Sequence, residues 1–303
     1  METTFPFADL ELARRLERAE GMANVRAVEL RARVVPDVGA TWVEVAGTLA
    51  MFDGPESPIT QTFGLGLFQA PTADDFSALE AFFNERAATT HHEVSPLADA
   101  ATFALLTERK YQPFEFTSVM YMALAGRAGQ VGRVGRVGQV GQAGQVGQAG
   151  QVGQVGNGGH GGHGGLNVRR VEVEDADVYA RTSAEGWREA GFSEFMYTLQ
   201  RANAESQTTD AFLAELDGRP IATALLVIHD CVGLLAGAST IPDGRKKGAQ
   251  NALLDRRLQF AAERGCDLAM MCAAPGSGSQ RNAERNGFRI AYTRIKWRQP
   301  MKV

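Results

Sequence analysis

Two hydrophobic periods alternate along the second half of the chain. Val168–Glu174 sets Val168, Val171 and Val173 in an extended segment, and Asp175 stands where a helix cap is needed before a run through about Glu189. A second helix covers Glu194–Ala204, with Phe195, Tyr197, Leu199 and Ala202 along it. Ala211–Leu216 and Ile221–His229 read as strands joined by Asp217-Gly218, a dipeptide suited to a tight hairpin. Cys231–Thr240 continues as a strand, and Gly248–Arg264 is a helix closed by Gly265. Asp267–Ala273 is a strand ended by Pro275-Gly276, and a short helix capped by Ser277 or Ser279 stops at Gly287. Phe288–Arg298 alternates as a last strand. The predicted order, β-α-α-β-β-β-α-β-α-β, describes an α+β fold on a mostly antiparallel sheet.

The first half gives a similar order. Phe7–Ala19 is helical, Ala40–Met51 and Thr60–Phe68 are strands, and Asp53-Gly54 lies between them as a turn. Asp75–Ala87 carries Phe76, Leu79 and Phe83 at helical spacing. Thr90–Val94, Ala98–Lys110 and Phe114–Leu124 follow as strand, helix and strand. The two ends compare: ATFALLTERKYQPFEFTSVMYM and SQRNAERNGFRIAYTRIKW each place Glu-Arg near the end of a short helix, then an aromatic, then a long strand. The pattern predicts two copies of one fold.

Between the copies, glycine recurs at every third position from Gly126 to Gly165. That period is the one a collagen triple helix requires, but the tract holds no proline to preset the extended conformation. It reads as a flexible linker, with a self-associating stalk as the structural alternative. His160 and His163 within it are two imidazoles short of a metal cage. The expected division is a degenerate domain at 1–125, a low-complexity linker at 126–165 and a ligand-binding domain at 166–303.

Composition narrows the function. With 44% hydrophobic and 22% charged residues the 303-residue chain is globular in character, and a net charge of −4 argues against a general nucleic-acid binder. No apolar run is long enough to span a membrane, and METTFPFADLELARR does not read as a signal peptide. Cys231, Cys266 and Cys272 are odd in number and lack metal-ligand spacing, so they read as reduced thiols of a cytoplasmic protein. No metal is expected.

The segment AGASTIPDGRKKGAQNALL, Ala236–Leu254, concentrates the candidate chemistry. A strand leads into a loop with Arg245, Lys246 and Lys247, and then into a helix that starts at Gly248. Unpaired N–H groups at a helix start, with the dipole and three basic residues, make a seat for a pyrophosphate. Glycine there lets backbone approach the phosphates.

The pattern Arg-x-x-Gly-x-Gln at Arg245, Gly248 and Gln250 resembles the acyl-CoA loop of the GNAT superfamily of N-acetyltransferases, whose pattern ends in Gly or Ala where this chain has Gln250. PGSGSQRNAERNGF resembles the family's helix after its fifth strand. The resemblance covers Val168 to Arg298. It implies two GNAT-like domains, each a mostly antiparallel twisted sheet flanked by helices, the first degenerate. It further implies that Cys231–Thr240 and Asp267–Ala273 splay, that a pantetheine arm enters the gap, and that the backbone of Ala238, Ser239, Thr240 and Ile241 pairs with it. Arg245, Lys246, Lys247, Gly248, Ala249, Gln250 and Asn282 would complete the acetyl-CoA site. The implied activity is acetyl transfer from acetyl-CoA to a primary amine of a small molecule or peptide. A non-catalytic acyl-CoA sensor or scaffold is the alternative.

A base must free the amine's lone pair, and an acid can protonate the departing thiolate. The strand VGLLAGAST has no carboxylate, and Ala283 stands at the position of the family's tyrosine. Glu215, His229 and Asp230 are the weak candidates for base, and Tyr292 for acid. In the first half the matching loop, Pro71-Thr72-Ala73-Asp74-Asp75, puts two carboxylates at a helix start, where they would repel pyrophosphate. His91 and His92 are adjacent in a strand and should face opposite sides, unsuited to sharing an ion.

Overall fold

The structure, a computed structural model, describes residues 5–124, 165–191 and 193–300. The linker expectation, with His160 and His163, falls on residues outside these. Among the described residues no helix is long and apolar enough to cross a membrane.

Among the described residues eleven strands form one continuous sheet. The first half contributes β1 (Thr41–Val45), β2 (Thr48–Phe52), β3 (Gln61–Phe63), β4 (His91–Val94) and β5 (Gln112–Ala123). The second half contributes β6 (Leu166–Arg170), β7 (Asp210–Leu216), β8 (Arg219–His229), β9 (Val232–Thr240), β10 (Leu268–Ala273) and β11 (Arg289–Arg298). The order is β1-β2-β3-β4-β11-β5-β10-β9-β8-β7-β6. Apart from the edge strand β6, which only the second half has, it reads alike from both ends: a hairpin, a third strand and a parallel fourth, then a long central strand taken from the other half. β5 lies between β10 and β11, and β11 lies between β4 and β5, all antiparallel. The halves thus share a strand order, and each lends its last strand to the other.

Helices cover both faces. α2 (Ala73–Asn84), α3 (Ala100–Glu108), α6 (Ala249–Glu263) and α7 (Gly278–Arg285) lie on one side, and α1 (Leu10–Val34), α4 (Ala176–Trp187) and α5 (Ser193–Glu205) on the other. Alternation along β8 shows the division: Ala222, Ala224 and Leu226 pack under α6, whereas Leu225 packs under α4. α1 crosses the middle of its face, with Leu12, Ala13 and Leu16 on Met270, Leu268 and Val119 and with Val25 and Val28 on Leu49 and Phe63.

Four elements differ from expectation. The strand expected at Thr60–Phe68 is only Gln61–Phe63, because Gly64 and Gly66 at positive φ turn the chain. The strand expected at Val168–Glu174 runs Leu166–Arg170 before a single helical turn at Val173–Asp175. α1 runs on past Ala19 to Val34 through Gly21. A Cβ at Gly21 would meet Leu49 Cδ1 at 2.8 Å, so this glycine allows close packing of helix on sheet and does not end the helix. The expected single strand Ala40–Met51 is a hairpin, because Ala46 (φ 49°) and Gly47 (φ 77°) turn the chain.

Candidate functional site

The site begins where two parallel strands part. β9 and β10 pair at Val232/Leu268, Gly233/Ala269 and Leu234/Met270, and there the ladder ends. Beyond it, Met271, Cys272 and Ala273 remain bound to β5, while Leu235 and Ala236 remain bound to β8. The gap between β9 and β10 thus opens toward their carboxyl ends, where open α/β units place ligands.

A bulge on β9 sets this divergence. The β8 register shifts between Thr223/Ser239 and Leu225/Ala236, with Gly237 at φ 58°. Arg257 of α6 donates to the carbonyls of Leu225, at 3.0 Å, and Ala236, at 3.4 Å, so a buried cation ties the bulge from behind. Burial pulls its guanidinium down to about 10.

The loop after β9 holds most of the residues expected to bind the ligand. Gly248 caps α6 at φ 85°, no side chain caps this helix, and its first turn carries no acidic residue. Lys246 and Lys247 are exposed, Ala249 is buried, and Arg245 reaches Glu189 at 2.7 Å. Gln250 acts through its side chain: Nε2 donates to the Ser239 carbonyl (2.9 Å) and to Thr240 Oγ1 (2.8 Å), fastening the end of β9 to the start of α6. Ala238 is exposed beside the gap. Asn282 sits on α7, whose Asn286 also approaches Asn251 on α6.

Other expected residues are placed elsewhere or are already engaged. The Ile241 N–H donates to Ile221 O and its side chain is in the core, so it is not free to pair with a ligand. The Ser239 hydroxyl is spent on Thr223 and Ser183, leaving only its backbone. Glu215 lies on β7, two strands from β9, and receives Arg169 at 3.1 Å. His229 and Asp230 sit at the β8–β9 turn, at the closed end of the pair. Tyr292 is buried under α1 with its hydroxyl donated to Glu17 at 2.9 Å, and burial and Glu17 raise its pKa well above the phenol range. It is a poor proton donor in that position.

A buried charged cluster joins α1 to β11, and sequence reading left it out because its members are far apart in the chain. Arg294 Nη1 donates to Glu17 (3.1 Å) and to Glu20 (2.7 Å), and its Nε lies 3.3 Å from Glu93. The Cys272 thiol donates to Glu20 at 3.2 Å. Burial and the neighbouring Glu20 raise that thiol well above its ordinary range, so it is not a nucleophile. Burial raises Glu17 from 4.5 to about 7, against the pull of Arg294. A carboxyl raised on folding stabilises the fold fully below about 4.5, and that contribution is lost as pH rises through about 7. Wild type minus Glu17→Gln should therefore show a stability difference falling by about 3 kcal/mol across this window in denaturant titrations.

The corresponding place in the first half is filled. β3 and β4 pair only at Thr62/His92, after which Gly64 and Gly66 coil the chain and bury Leu65 and Leu67. The Gly66 carbonyl accepts from Asp99 N at 2.8 Å, which brings the start of α3 against it. α2 is closed by a reciprocal cap between Thr72 and Asp75. His92 is buried, bonded to Thr62 and packed on Phe76, while His91 packs on Phe114. Among the described residues no group of three or more His, Cys, Asp or Glu is arranged to hold a metal.

The forked parallel pair, the bulged strand and the uncapped helix start all lie within a segment whose sequence matches a recognised family. Residues 176–288 match the acetyltransferase (GNAT) family. They form a GNAT acetyltransferase domain. Among solved structures, a GCN5-related N-acetyltransferase from Kribbella flavida superposes with a TM-score of 0.62 at 17% identity, with 96% of each chain covered. A conserved protein of unknown function from Staphylococcus epidermidis gives 0.55 at 7% identity, over 87% of this chain and 96% of that one. A tandem GNAT protein from the clavulanic acid biosynthesis pathway gives 0.53 at 11% identity, over 84% of this chain and 79% of that one. At these identities the likeness is one of fold. No curated protein matches the chain. The GNAT domain holds β7 to β10 and α4 to α7, and its central neighbour β5 comes from outside it.

Proposed function

We propose that this chain is an acetyl-CoA-dependent N-acetyltransferase that binds the acyl donor in the β9–β10 gap and passes the acetyl group directly to a primary amine. The single observation that carries this reading is the gap itself, open at the end where α6 begins without a cap. The donor would supply an activated thioester. Residues of this chain would hold it: the N–H groups following Gly248 and the basic chains of Arg245, Lys246 and Lys247 at the pyrophosphate, and the backbone of Ala238, Ser239 and Thr240 along the pantetheine arm. Arg245 would exchange Glu189 for phosphate. Gln250 and Arg257 act on the shape of the gap through β9. Direct transfer is favoured over a covalent acyl-enzyme because Cys272, the thiol beside the gap, is held protonated.

Gly248 tests the seat. A Cβ there has room within the protein, its nearest neighbour being Leu166 Cδ2 at 4.0 Å. Valine at φ 85° is nevertheless strained, and its side chain would stand where phosphates approach the N–H groups. Losing two charge-assisted contacts of about 1.5–3 kcal/mol each should weaken acetyl-CoA binding about a hundredfold or more. Lys246→Ala, which removes an exposed charge worth about 0–1 kcal/mol, should weaken it much less. Calorimetric titration of acetyl-CoA into the full chain checks both. Normal binding by folded Gly248→Val would remove the proposed seat, and thiol release in the presence of amines separates an enzyme from a sensor.

A further inference from the structure

The GNAT domain carries no carboxylate of its own at the fork, yet a carboxylate stands there. Continuing the β9–β10 register past Leu234/Met270 sets Cys272 level with Ala236, the first rungs of the gap. Both residues pack on the face covered by α1. Glu20 of α1 reaches this level, with Oε2 held by Cys272 Sγ at 3.2 Å and by Arg294 Nη1 at 2.7 Å. Among the described residues Oε1 has no hydrogen-bond partner, and the side chain keeps 13% of its surface exposed. One oxygen is fixed and the other is free, which is the arrangement a positioned proton acceptor needs. Glu17, by contrast, is fully enclosed, with one oxygen on Tyr292 and the other on Arg294.

We propose that Glu20, from the half of the chain outside the GNAT domain, is the catalytic base for the acceptor amine at the β9–β10 fork. This rests on the transferase reading above. The acceptor arrives as an ammonium, and its proton passes to the free oxygen of Glu20. The nitrogen lone pair then forms a bond to the thioester carbonyl carbon as the carbon–sulfur bond breaks. The departing thiolate takes the second nitrogen proton, directly or through water. The proton on Glu20 returns to solvent, so acetyl-CoA and R–NH3+ become the amide, the free thiol and one proton. The groups facing Glu20 are Arg294 and Tyr292 of β11, Cys272 of β10, Glu93 of β4 and Glu17 of α1, with Lys296 bound to Glu93. The reading gives the first half a role in catalysis: its strands lack an open gap, but its first helix serves the gap of the other half.

The test uses the full chain with acetyl-CoA as donor and butylamine, spermidine and a short lysine peptide as probe amines. Wild type and Glu20→Gln are compared for acetyl-CoA binding by calorimetry and for single-turnover thiol release from pH 6 to 10. Expected are unchanged binding, a loss of about a hundredfold or more in transfer near pH 7, and a changed profile. Wild type should level off well below the pKa of the amine, whereas Glu20→Gln should keep rising toward it, because only amine already neutral then reacts. Glu20→Asp, which keeps the carboxylate, should retain the wild-type profile at reduced rate. The thermal transition of each variant establishes that it is folded, and if Glu20→Gln does not fold, Glu20→Ala is read in its place with added formate, which should restore transfer if Glu20 accepts the proton and leave it lost if its role is structural. In Glu20→Gln a uniform loss at every pH with the wild-type profile would show a structural role and overturn the proposal, as would a wild-type rate. A wild-type chain that binds acetyl-CoA but acetylates none of the probes also overturns it, while the binding reading stands. Failure to bind acetyl-CoA at all overturns both.

Discussion

A fragment of residues 166–303 is expected to lose cooperative unfolding, and co-expression with residues 1–165 is expected to restore it. The fragment contains the GNAT domain and matches the boundary that the sequence suggests. It lacks β5, which pairs with β10 from Leu268 to Ala273 on one edge and with β11 from Arg289 to Arg298 on the other. Met120, Met122 and Leu124 leave with it, and all three are in the core under α6 and α7. On the opposite face, α1 takes Leu12 and Leu16 from Met270, Leu268 and Val232. Each large buried apolar side chain removed costs about 2–5 kcal/mol, and several together exceed the roughly 5–15 kcal/mol that holds a domain folded. Circular dichroism during a thermal ramp reads the outcome. A fragment that melts cooperatively within a few degrees of the full chain would show that the exchanged strand is dispensable.

Arg294→Met is expected to destabilise the chain by about 3–5 kcal/mol at pH 8, the usual consequence of leaving buried charge unpaired. Glu17 and Arg294 are both fully buried, and Arg294 answers three carboxylates contributed by α1 and β4. Methionine fills much of the volume but leaves Glu17, Glu20 and Glu93 facing one another. The penalty should shrink toward pH 5, because Glu17 can then carry a proton and the repulsion falls. Denaturant titrations at the two pH values measure this. Equal losses at both would mean that packing, not charge, is what Arg294 supplies.

What the sequence reveals follows from how local each feature is. Gly248 announces a helix start because its neighbours in the chain are also its neighbours in space, and β6 to β11 fall within a few residues of where hydrophobic alternation sets them. Ala46-Gly47 hides a hairpin because alanine carries no turn signal, and the left-handed φ of Ala46 is imposed by the pairing of β1 with β2. Gly21 misleads for the opposite reason: it looks like a break, yet it serves contact with Leu49. The two last strands are recognisable as strands, but their exchange cannot be seen, because either pairing would satisfy the same alternation. The exchange also explains why the site looks incomplete in sequence. Glu20 and Cys272 are 252 positions apart, and only the packing of α1 on the sheet brings them together.

The most direct measurement is a crystal structure of the full chain with acetyl-CoA. The account predicts pyrophosphate on the N–H groups that follow Gly248, a pantetheine arm between β9 and β10, and the thioester level with Ala236 and Cys272 on the α1 face. A donor bound elsewhere, or β9 and β10 closed against each other with the ligand outside the fork, would contradict it.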